Sequence, residues 1–190
     1  MKLEIIFLIG PQGSGKGTQA RILAERLGFF YWEMGGILRE VAKENTDLGK
    51  EVRNMVDNGL LLPDEKLFEV VEARLSQIPK DKGVIFDGIP RRLGQAEFLI
   101  RKLKQEGREK FATLFIDLPK EESLKRLLDR AQKENRADDT KEVIEKRLEQ
   151  YYRDTLPVVE YLKQRTDFVE IDGQPEIEKV TQEINSRLAL

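Results

Sequence analysis

Residues 3–18 read LEIIFLIGPQGSGKGT, an apolar run that passes directly into a glycine-rich loop. The apolar run is typical of a buried β-strand, and residues 10–16 fit the pattern G-x-x-x-x-G-K of a phosphate-binding loop. Apolar residues then recur at helical spacing from Ala20 onward, so a helix is predicted to begin where the loop ends. Glycines let backbone N–H groups converge on phosphate oxygens, and the helix N-terminus and Lys16 add positive charge. The stretch therefore predicts a strand, a phosphate site and a helix in direct succession.

Short apolar runs alternate with helical patterns along the rest of the chain. Further strands are predicted near residues 29–32, 84–86, 112–116 and 168–171, and the longest helical pattern is interrupted near Pro157. Strands separated by helices favour a parallel sheet with helices on both faces. We therefore expect an α/β protein with the P-loop NTPase fold and about five parallel strands, whose ligands bind at the carboxyl ends of the strands.

The composition limits the chemistry that the chain can perform. Among its 190 residues there is neither Cys nor His, and the formal net charge is −2. Disulfides, zinc sites built on Cys or His, and His acid–base catalysis are therefore excluded. Phosphoryl transfer suits the residues that remain, because it needs positioning and charge neutralisation more than proton shuttling.

The charge and hydropathy patterns favour a cytoplasmic protein. There is no basic excess of the kind that binds nucleic acid or anionic membranes. No apolar run approaches transmembrane length, and the start of the chain lacks the pattern of a signal peptide. We expect a cytoplasmic chain that binds neither nucleic acid nor membranes.

Residues 15–20, Gly-Lys-Gly-Thr-Gln-Ala, place a glycine where most phosphate-binding loops have Ser or Thr. In this they resemble the nucleoside monophosphate kinase family, and the resemblance continues along essentially the whole chain. Residues 87–91, Asp-Gly-Ile-Pro-Arg, look like that family's D-G-F-P-R segment, and residues 59–65 look like its monophosphate-binding segment. The arginines of residues 126–147 look like its lid region, which is too short here for the inserted subdomain of long-lid members. The chain thus resembles the short-lid adenylate kinases.

The resemblance implies reversible phosphoryl transfer from Mg-ATP to AMP, which gives two molecules of ADP. It implies a single P-loop kinase domain over residues 1–190, with a monophosphate-binding segment at about 33–62 and a short lid at about 130–137. Asp87 would hold magnesium through water, and no zinc is expected in a chain without Cys or His. ATP and AMP are the expected partners of a monomer.

The same resemblance assigns residues to three roles. The catalytic residues are a set of cations: Lys16, Arg91, Arg126, Arg130, Arg136 and Arg147. The residues assigned to ATP are Gly13, Ser14, Gly15, Lys16, Gly17, Thr18, Arg126, Arg130 and Gln174. The residues assigned to AMP are Met34, Arg39, Leu60, Leu61, Leu62, Gly88, Ile89, Pro90, Arg91, Gln95, Arg136 and Arg147.

Physical reasoning supports the choice of arginines. Two nucleotides concentrate phosphate charge in one cleft, and magnesium and arginines must offset it. Arg126 and Arg130 stand at positions i and i+4, so they share one helix face. A solvated helix face is the ordinary alternative for any single arginine, just as helix capping is the alternative role of Asp138 and Asp139.

The monophosphate-binding segment departs most from the family pattern. Residues 34–36 are Met-Gly-Gly where the family usually shows Ser or Thr, Gly and Asp, and Arg92 stands where Thr or Asn is common. Gln95 favours adenine, because its amide can present both a donor and an acceptor to a base edge. A pyrimidine (CMP or UMP) monophosphate kinase is the alternative within the enzyme class, and a non-catalytic nucleotide-binding switch is the alternative outside it.

Overall fold

The strands form one sheet in the residues that the computed structural model describes, which are 3–58, 60–134 and 140–189. They are β1 (Ile5–Ile9), β2 (Phe30–Glu33), β3 (Val84–Asp87), β4 (Phe111–Asp117) and β5 (Asp167–Asp172). All neighbouring pairs are parallel, and the five strands lie in the order β2-β3-β1-β4-β5. Strands β3 and β4 therefore flank β1 on its two sides, which opens a crevice at the carboxyl end of β1.

Helices connect and flank these strands. In the described residues they are α1 (Lys16–Leu27), α2 (Met34–Val41), α3 (Asp47–Asp57), α4 (Asp64–Leu75), α5 (Leu93–Gln105), α6 (Lys120–Glu134), α7 (Lys141–Gln150), α8 (Leu156–Lys163) and α9 (Ile177–Arg187). A π-helical turn, Tyr151–Thr155, joins α7 to α8. Within the described ranges, none of the helices combines the length and apolar character that spanning a bilayer requires.

Side chains alternate along β1 and divide the core into two layers. Ile5, Phe7 and Ile9 face a cluster to which α4, α5 and α8 contribute buried residues. Ile6 and Leu8 face the opposite cluster, to which α1 and α9 contribute. Each large apolar side chain that is fully buried stabilises the fold by about 1.5–3 kcal/mol. Helices thus cover both faces of a parallel sheet, which confirms the predicted α/β fold.

The interruption predicted near Pro157 is the π-helical turn. Proline lacks an N–H, and its ring cannot fit against the carbonyl one turn earlier in a regular helix. The N–H of Leu156 donates to the carbonyl oxygen of Tyr151, the i to i+5 spacing of a π-helix. Tyr151 and Thr155 both face the crevice at the carboxyl end of the sheet.

Candidate active site

Glycines shape the loop between β1 and α1. Gly10 has a φ of 152°, and a Cβ at this position would collide with the carbonyl oxygen of Ile116 in β4. Gly15 has a φ of 86° and forms the N-cap of α1. Among the described residues no side chain caps this helix end, so the N–H groups of its first turn remain available to an anion.

Lys16 is the first residue of α1, and its Nζ donates a hydrogen bond of 2.7 Å to the carbonyl oxygen of Pro11 in the loop. Burial lowers the pKa of Lys16 to about 8. The negative charge of Asp87 opposes this shift, whereas the positive charges of Arg91 and Arg130 add to it. A phosphate bound at the loop would favour the charged ammonium, so the site is prepared for an anion.

Two carboxylates end neighbouring strands at the same edge of the sheet. Glu33 of β2 pairs in register with Asp87 of β3. The Oη of Tyr31 donates to Asp87 Oδ2 at 3.0 Å, and burial, followed by the charge of Asp87, raises the pKa of Tyr31. Glu33 accepts a hydrogen bond of 2.9 Å from Arg39 Nη2, and Arg21 Nη2 lies 3.9 Å from the same carboxylate. Asp87 is therefore oriented by a neutral donor, and Glu33 lies between two cations.

The larger cavity at this edge is a cleft of about 490 Å³. The cations that line it are Lys16, Arg21, Arg39, Arg91, Arg126 and Arg130. The guanidinium of Arg126 donates to the carbonyl oxygens of Gly173 and Gln174 at 2.9 and 2.8 Å. Arg91 Nε donates to the carbonyl oxygen of Gly88 at 2.9 Å, and burial lowers the pKa of Arg91. Backbone oxygens thus hold two of the cations in place for charge-assisted contacts with phosphate.

A smaller cavity of about 190 Å³ lies beside the cleft. Its apolar wall consists of Met34, Leu38, Val56, Leu60, Leu61, Leu62 and Leu67, and Gln95 adds a polar amide. Both cavities are bordered by Gln12, Arg39, Gly88 and Arg91. A cavity with an apolar wall and the amide of Gln95, next to a cationic cleft, can take a flat heterocycle whose phosphate reaches the cations.

Most residues assigned from the sequence line one of the two cavities. Those assigned to ATP that line the cleft are Gly13, Gly15, Lys16, Gly17, Thr18, Arg126 and Arg130. Those assigned to AMP that line the smaller cavity are Met34, Arg39, Leu60, Leu61, Leu62, Gly88, Arg91, Gln95 and Arg147. The structure therefore brings the two sets to adjoining spaces.

The remaining assigned residues lie elsewhere. Ser14 and Ile89 are buried, with 3% and 1% of their surface exposed, and border neither cavity. Gln174 is exposed, and its carbonyl oxygen is held by Arg126. Pro90 borders the cleft instead of the smaller cavity. Residues 135–139, which include Arg136 and the last part of the expected lid, lie outside the described residues.

The residues that line the cleft but were not assigned from the sequence include Tyr31, Tyr151 and Thr155. Tyr31 lies in β2, two residues before its carboxyl end, so the rule that ligands bind at that end of a parallel sheet could have pointed to it. Tyr151 and Thr155 reach the cleft from the π-helical turn. Only Pro157 hints at that turn in the sequence, and it does not indicate which side chains face the cleft.

The sequence is similar to proteins of one known family. The sequence model of one family, described as adenylate kinase, matches residues 8–167. A protein named adenylate kinase from Phocaeicola vulgatus is 40% identical over 168 residues, which cover 88% of this chain and 89% of the relative. Adenylate kinase 1 from a Nostoc species is 42% identical over 185 residues, covering 97% and 98%. Adenylate kinase from Thermus thermophilus is 37% identical over 187 residues, covering 98% of each chain.

Proposed function

Since this chain belongs to the adenylate kinase family and transfers a phosphoryl group between ATP and AMP, we propose how its two cavities divide that reaction. The phosphates of ATP bind in the cleft, and AMP binds in the smaller cavity. The observation that carries this proposal is the shared border of the two cavities, where Arg39 and Arg91 line both. The γ-phosphate of ATP and the phosphate of AMP meet at that border.

The loop and α1 bind the phosphates of ATP. The free N–H groups at the start of α1 and the ammonium of Lys16 provide donors and positive charge on one side. Arg126, fixed by the carbonyl oxygens of Gly173 and Gln174, provides a guanidinium on the other side. Arg130 lines the same cleft. The phosphate chain is thereby held in one orientation, which the transfer step requires.

Transfer proceeds directly between the two phosphates. An oxygen of the AMP phosphate forms a bond to the γ-phosphorus, while the bond from that phosphorus to the β-phosphate oxygen of ATP breaks, and two molecules of ADP result. The attacking oxygen already carries negative charge, so no base has to remove a proton, in keeping with a chain that contains no His. The task of the site is to offset charge, and Arg39, Arg91 and Lys16 do so at the point of transfer.

Magnesium enters with ATP in this proposal. Magnesium prefers oxygen ligands and keeps several waters. The carboxylate of Asp87 and the hydroxyl of Thr18 border the cleft and fit such a hydrated ion, and they would hold it against the phosphates. When bound, magnesium neutralises phosphate charge. The described residues contain no group of three or more His, Cys, Asp or Glu side chains that could hold a structural metal ion, and we propose that no zinc is required.

The remaining features of the proposal concern organisation. The chain forms one kinase domain over residues 1–190, with a monophosphate-binding segment at about 33–62 and a lid at about 130–137. The lid carries Arg136 and, with Arg147 of α7, closes over the phosphates to exclude water, because water would turn transfer into hydrolysis. The protein acts as a cytoplasmic monomer on small molecules.

A coupled assay tests the function. ATP is supplied with AMP, CMP, UMP or GMP, and ADP formation is followed with and without magnesium. AMP should give the highest kcat/KM, and activity should require magnesium. A higher kcat/KM with CMP or UMP would contradict the assignment of AMP to the smaller cavity. ATP binding without transfer to any monophosphate would instead support a nucleotide-binding switch.

A further inference from the structure

The amide of Gln95 is held at both ends. Gln95 lies in the first turn of α5 and is 2% exposed. Its Oε1 accepts a hydrogen bond of 2.7 Å from the backbone N–H of Arg91, and its Nε2 donates one of 2.8 Å to Asp64 Oδ1. A backbone N–H cannot accept a hydrogen bond, and a carboxylate cannot donate one. The two partners therefore permit only one orientation of the amide.

Asp64 is itself fixed by an arginine. It is the first residue of α4, and Arg92 Nη1 lies 3.1 Å from the same Oδ1 that accepts from Gln95. Arg92 Nη1 also lies 3.3 Å from the carbonyl oxygen of Leu62, which borders the smaller cavity. The guanidinium balances the charge of the carboxylate and ties it to the cavity wall. Arg92, Asp64 and Gln95 thus form one chain of hydrogen bonds.

The amide of Gln95 can still make one more hydrogen bond at each end. An amide oxygen has two lone pairs, and one of them accepts from the N–H of Arg91. An amide nitrogen has two hydrogens, and one of them is donated to Asp64. The wall of the smaller cavity at Gln95 therefore offers one acceptor and one donor in a fixed order. The edge of adenine matches that order, since its 6-amino group donates and its N1 accepts.

A 6-oxo purine presents the opposite order. Its O6 accepts and its N1–H donates, so it would bind well only to an amide rotated by half a turn. In that orientation the Nε2 of Gln95 would face the N–H of Arg91, and the Oε1 would face the carboxylate of Asp64. Both contacts would be repulsive, and buried polar groups without partners are costly.

We propose that Asp64, held by Arg92, is a specificity-determining residue that orients the Gln95 amide to accept 6-amino purines and reject 6-oxo purines. This inference rests on the proposed position of AMP, with its base beside Gln95. It adds a positioning residue from α4 to a cavity whose amide belongs to α5. The same hydrogen bonds also join two helices, so the test must separate selectivity from stability.

Inosine monophosphate (IMP) is the probe, because it keeps the ribose and phosphate of AMP and carries the 6-oxo edge. The dissociation constants of AMP and IMP are measured by calorimetry for the wild type and for Asp64→Asn, together with kcat/KM for each. An Asn amide can donate or accept, so it permits both orientations of Gln95. The preference for AMP over IMP should fall by about tenfold in Asp64→Asn, as expected for the loss of one hydrogen bond to a charged group.

Glu65→Gln is the matched control. It also removes a carboxylate from the first turn of α4, but Glu65 is exposed and makes no hydrogen bond to Gln95. The preference of Glu65→Gln for AMP over IMP, measured from the dissociation constants and from kcat/KM, should equal that of the wild type. If Asp64→Asn unfolds at assay temperature, Arg92→Thr supplies a second variant that loosens the carboxylate, with an expected fall in the ratio of about threefold.

If Asp64→Asn and Arg92→Thr both keep the wild-type preference for AMP over IMP, the proposal is wrong. The proposal is also wrong if the wild type binds IMP as tightly as AMP. Gln95→Ala separates this failure from a failure of the proposed site. If Gln95→Ala binds AMP as tightly as the wild type, the base does not lie beside Gln95 and the proposed AMP site is wrong. If Gln95→Ala weakens AMP binding while Asp64→Asn keeps the ratio, only the orienting role of Asp64 is wrong.

Discussion

The phosphate loop lines the cleft, and the smaller cavity lies beside that cleft, with Arg91 lining both spaces. The loop and the smaller cavity are nevertheless built from different parts of the chain. The loop offers mainly backbone N–H groups, positioned by glycine conformations between β1 and α1. The cavity offers mainly side chains, which come from α2, α3, α4, α5, α7 and the segment at residues 60–62. Backbone geometry tolerates few substitutions, whereas side chains can be exchanged if another group fills the space. The loop accordingly keeps the family pattern, Gly17 included, and the departures gather around the cavity.

The largest effect is expected from Lys16→Met, which removes charge from the loop and leaves its backbone in place. We expect kcat to fall by about a thousandfold, because the developing phosphate charge loses a preorganised cation. The variant should remain folded at the assay temperature. Lys43→Met, which removes an exposed lysine just after α2, serves as the control and should keep full activity. Near-normal turnover in Lys16→Met would contradict the proposed ATP site.

A pair of glycine substitutions compares the two regions directly. In Gly10→Ala the new methyl group collides with the carbonyl oxygen of Ile116, at a φ that L-residues rarely adopt. We expect a loss of roughly 3 kcal/mol or more in the free energy of unfolding, measured by urea denaturation.

Gly36→Ala is the other member of the pair. A Cβ there would lie 3.5 Å from the carboxylate of Glu33, an ordinary contact, inside helix α2. Alanine is favoured over glycine within a helix, so stability should rise by about 0.5–1 kcal/mol. Equal losses in Gly10→Ala and Gly36→Ala would break the contrast between backbone and side-chain construction.

Met34 tests whether a departure near the cavity serves packing or base choice. Met34 is 3% exposed, and its Sδ lies 3.4 Å from the indole Nε1 of Trp32, which donates to it. We expect Met34→Thr to lower the free energy of unfolding by about 1–3 kcal/mol, because the indole loses its acceptor and a cavity remains. Met55→Thr, at a partly buried methionine of α3, should cost less.

The same variant is assayed with AMP and CMP. Met34 also lines the smaller cavity, so the ratio of kcat/KM for the two substrates should shift, but by no more than several-fold. If Met34→Thr lowers the free energy of unfolding as expected but leaves the ratio of kcat/KM for AMP and CMP unchanged, Met34 serves packing only. A reversal of the ratio would make it the main determinant of base choice.

The smallest effect is expected from Glu33→Gln. Glu33 Oε1 lies 2.9 Å from Arg39 Nη2, so at the proposed AMP site the phosphate would compete with this carboxylate. The pair is exposed, and such pairs contribute up to about 1 kcal/mol. The KM for AMP should therefore fall by about two- to fivefold. Glu40→Gln removes an exposed carboxylate of α2 that pairs with Arg74 of α4, and it should leave KM unchanged. A rise in KM would show that Glu33 assists binding instead of competing.

Local signals account for what the sequence could predict. The strand, loop and helix of residues 3–27 follow from apolar spacing and glycines alone, and the alternation of strands and helices was enough for the sheet. The contacts that orient the site link distant residues: Tyr31 to Asp87, and Asp64 to Gln95. Such pairs leave no periodic pattern, because they depend on how strands and helices pack. The sequence therefore indicated many of the residues that border the cavities, but not which hydrogen bonds orient them.

Because Lys16 is buried, we expect nucleotide binding to be coupled to the uptake of a proton. The pKa of Lys16 is about 8 in the folded chain, below the 10.5 of an ordinary lysine, so the unfolded chain holds this proton more tightly. This group therefore lowers the stability of the folded chain at pH 7, and the loss fades as pH rises from about 8 to about 10.5. Phosphates bound at the proposed ATP site should relieve the same loss by raising the pKa, so we expect the protein to take up a proton near pH 8 as ATP binds. The heat of binding should consequently depend on the ionisation enthalpy of the buffer.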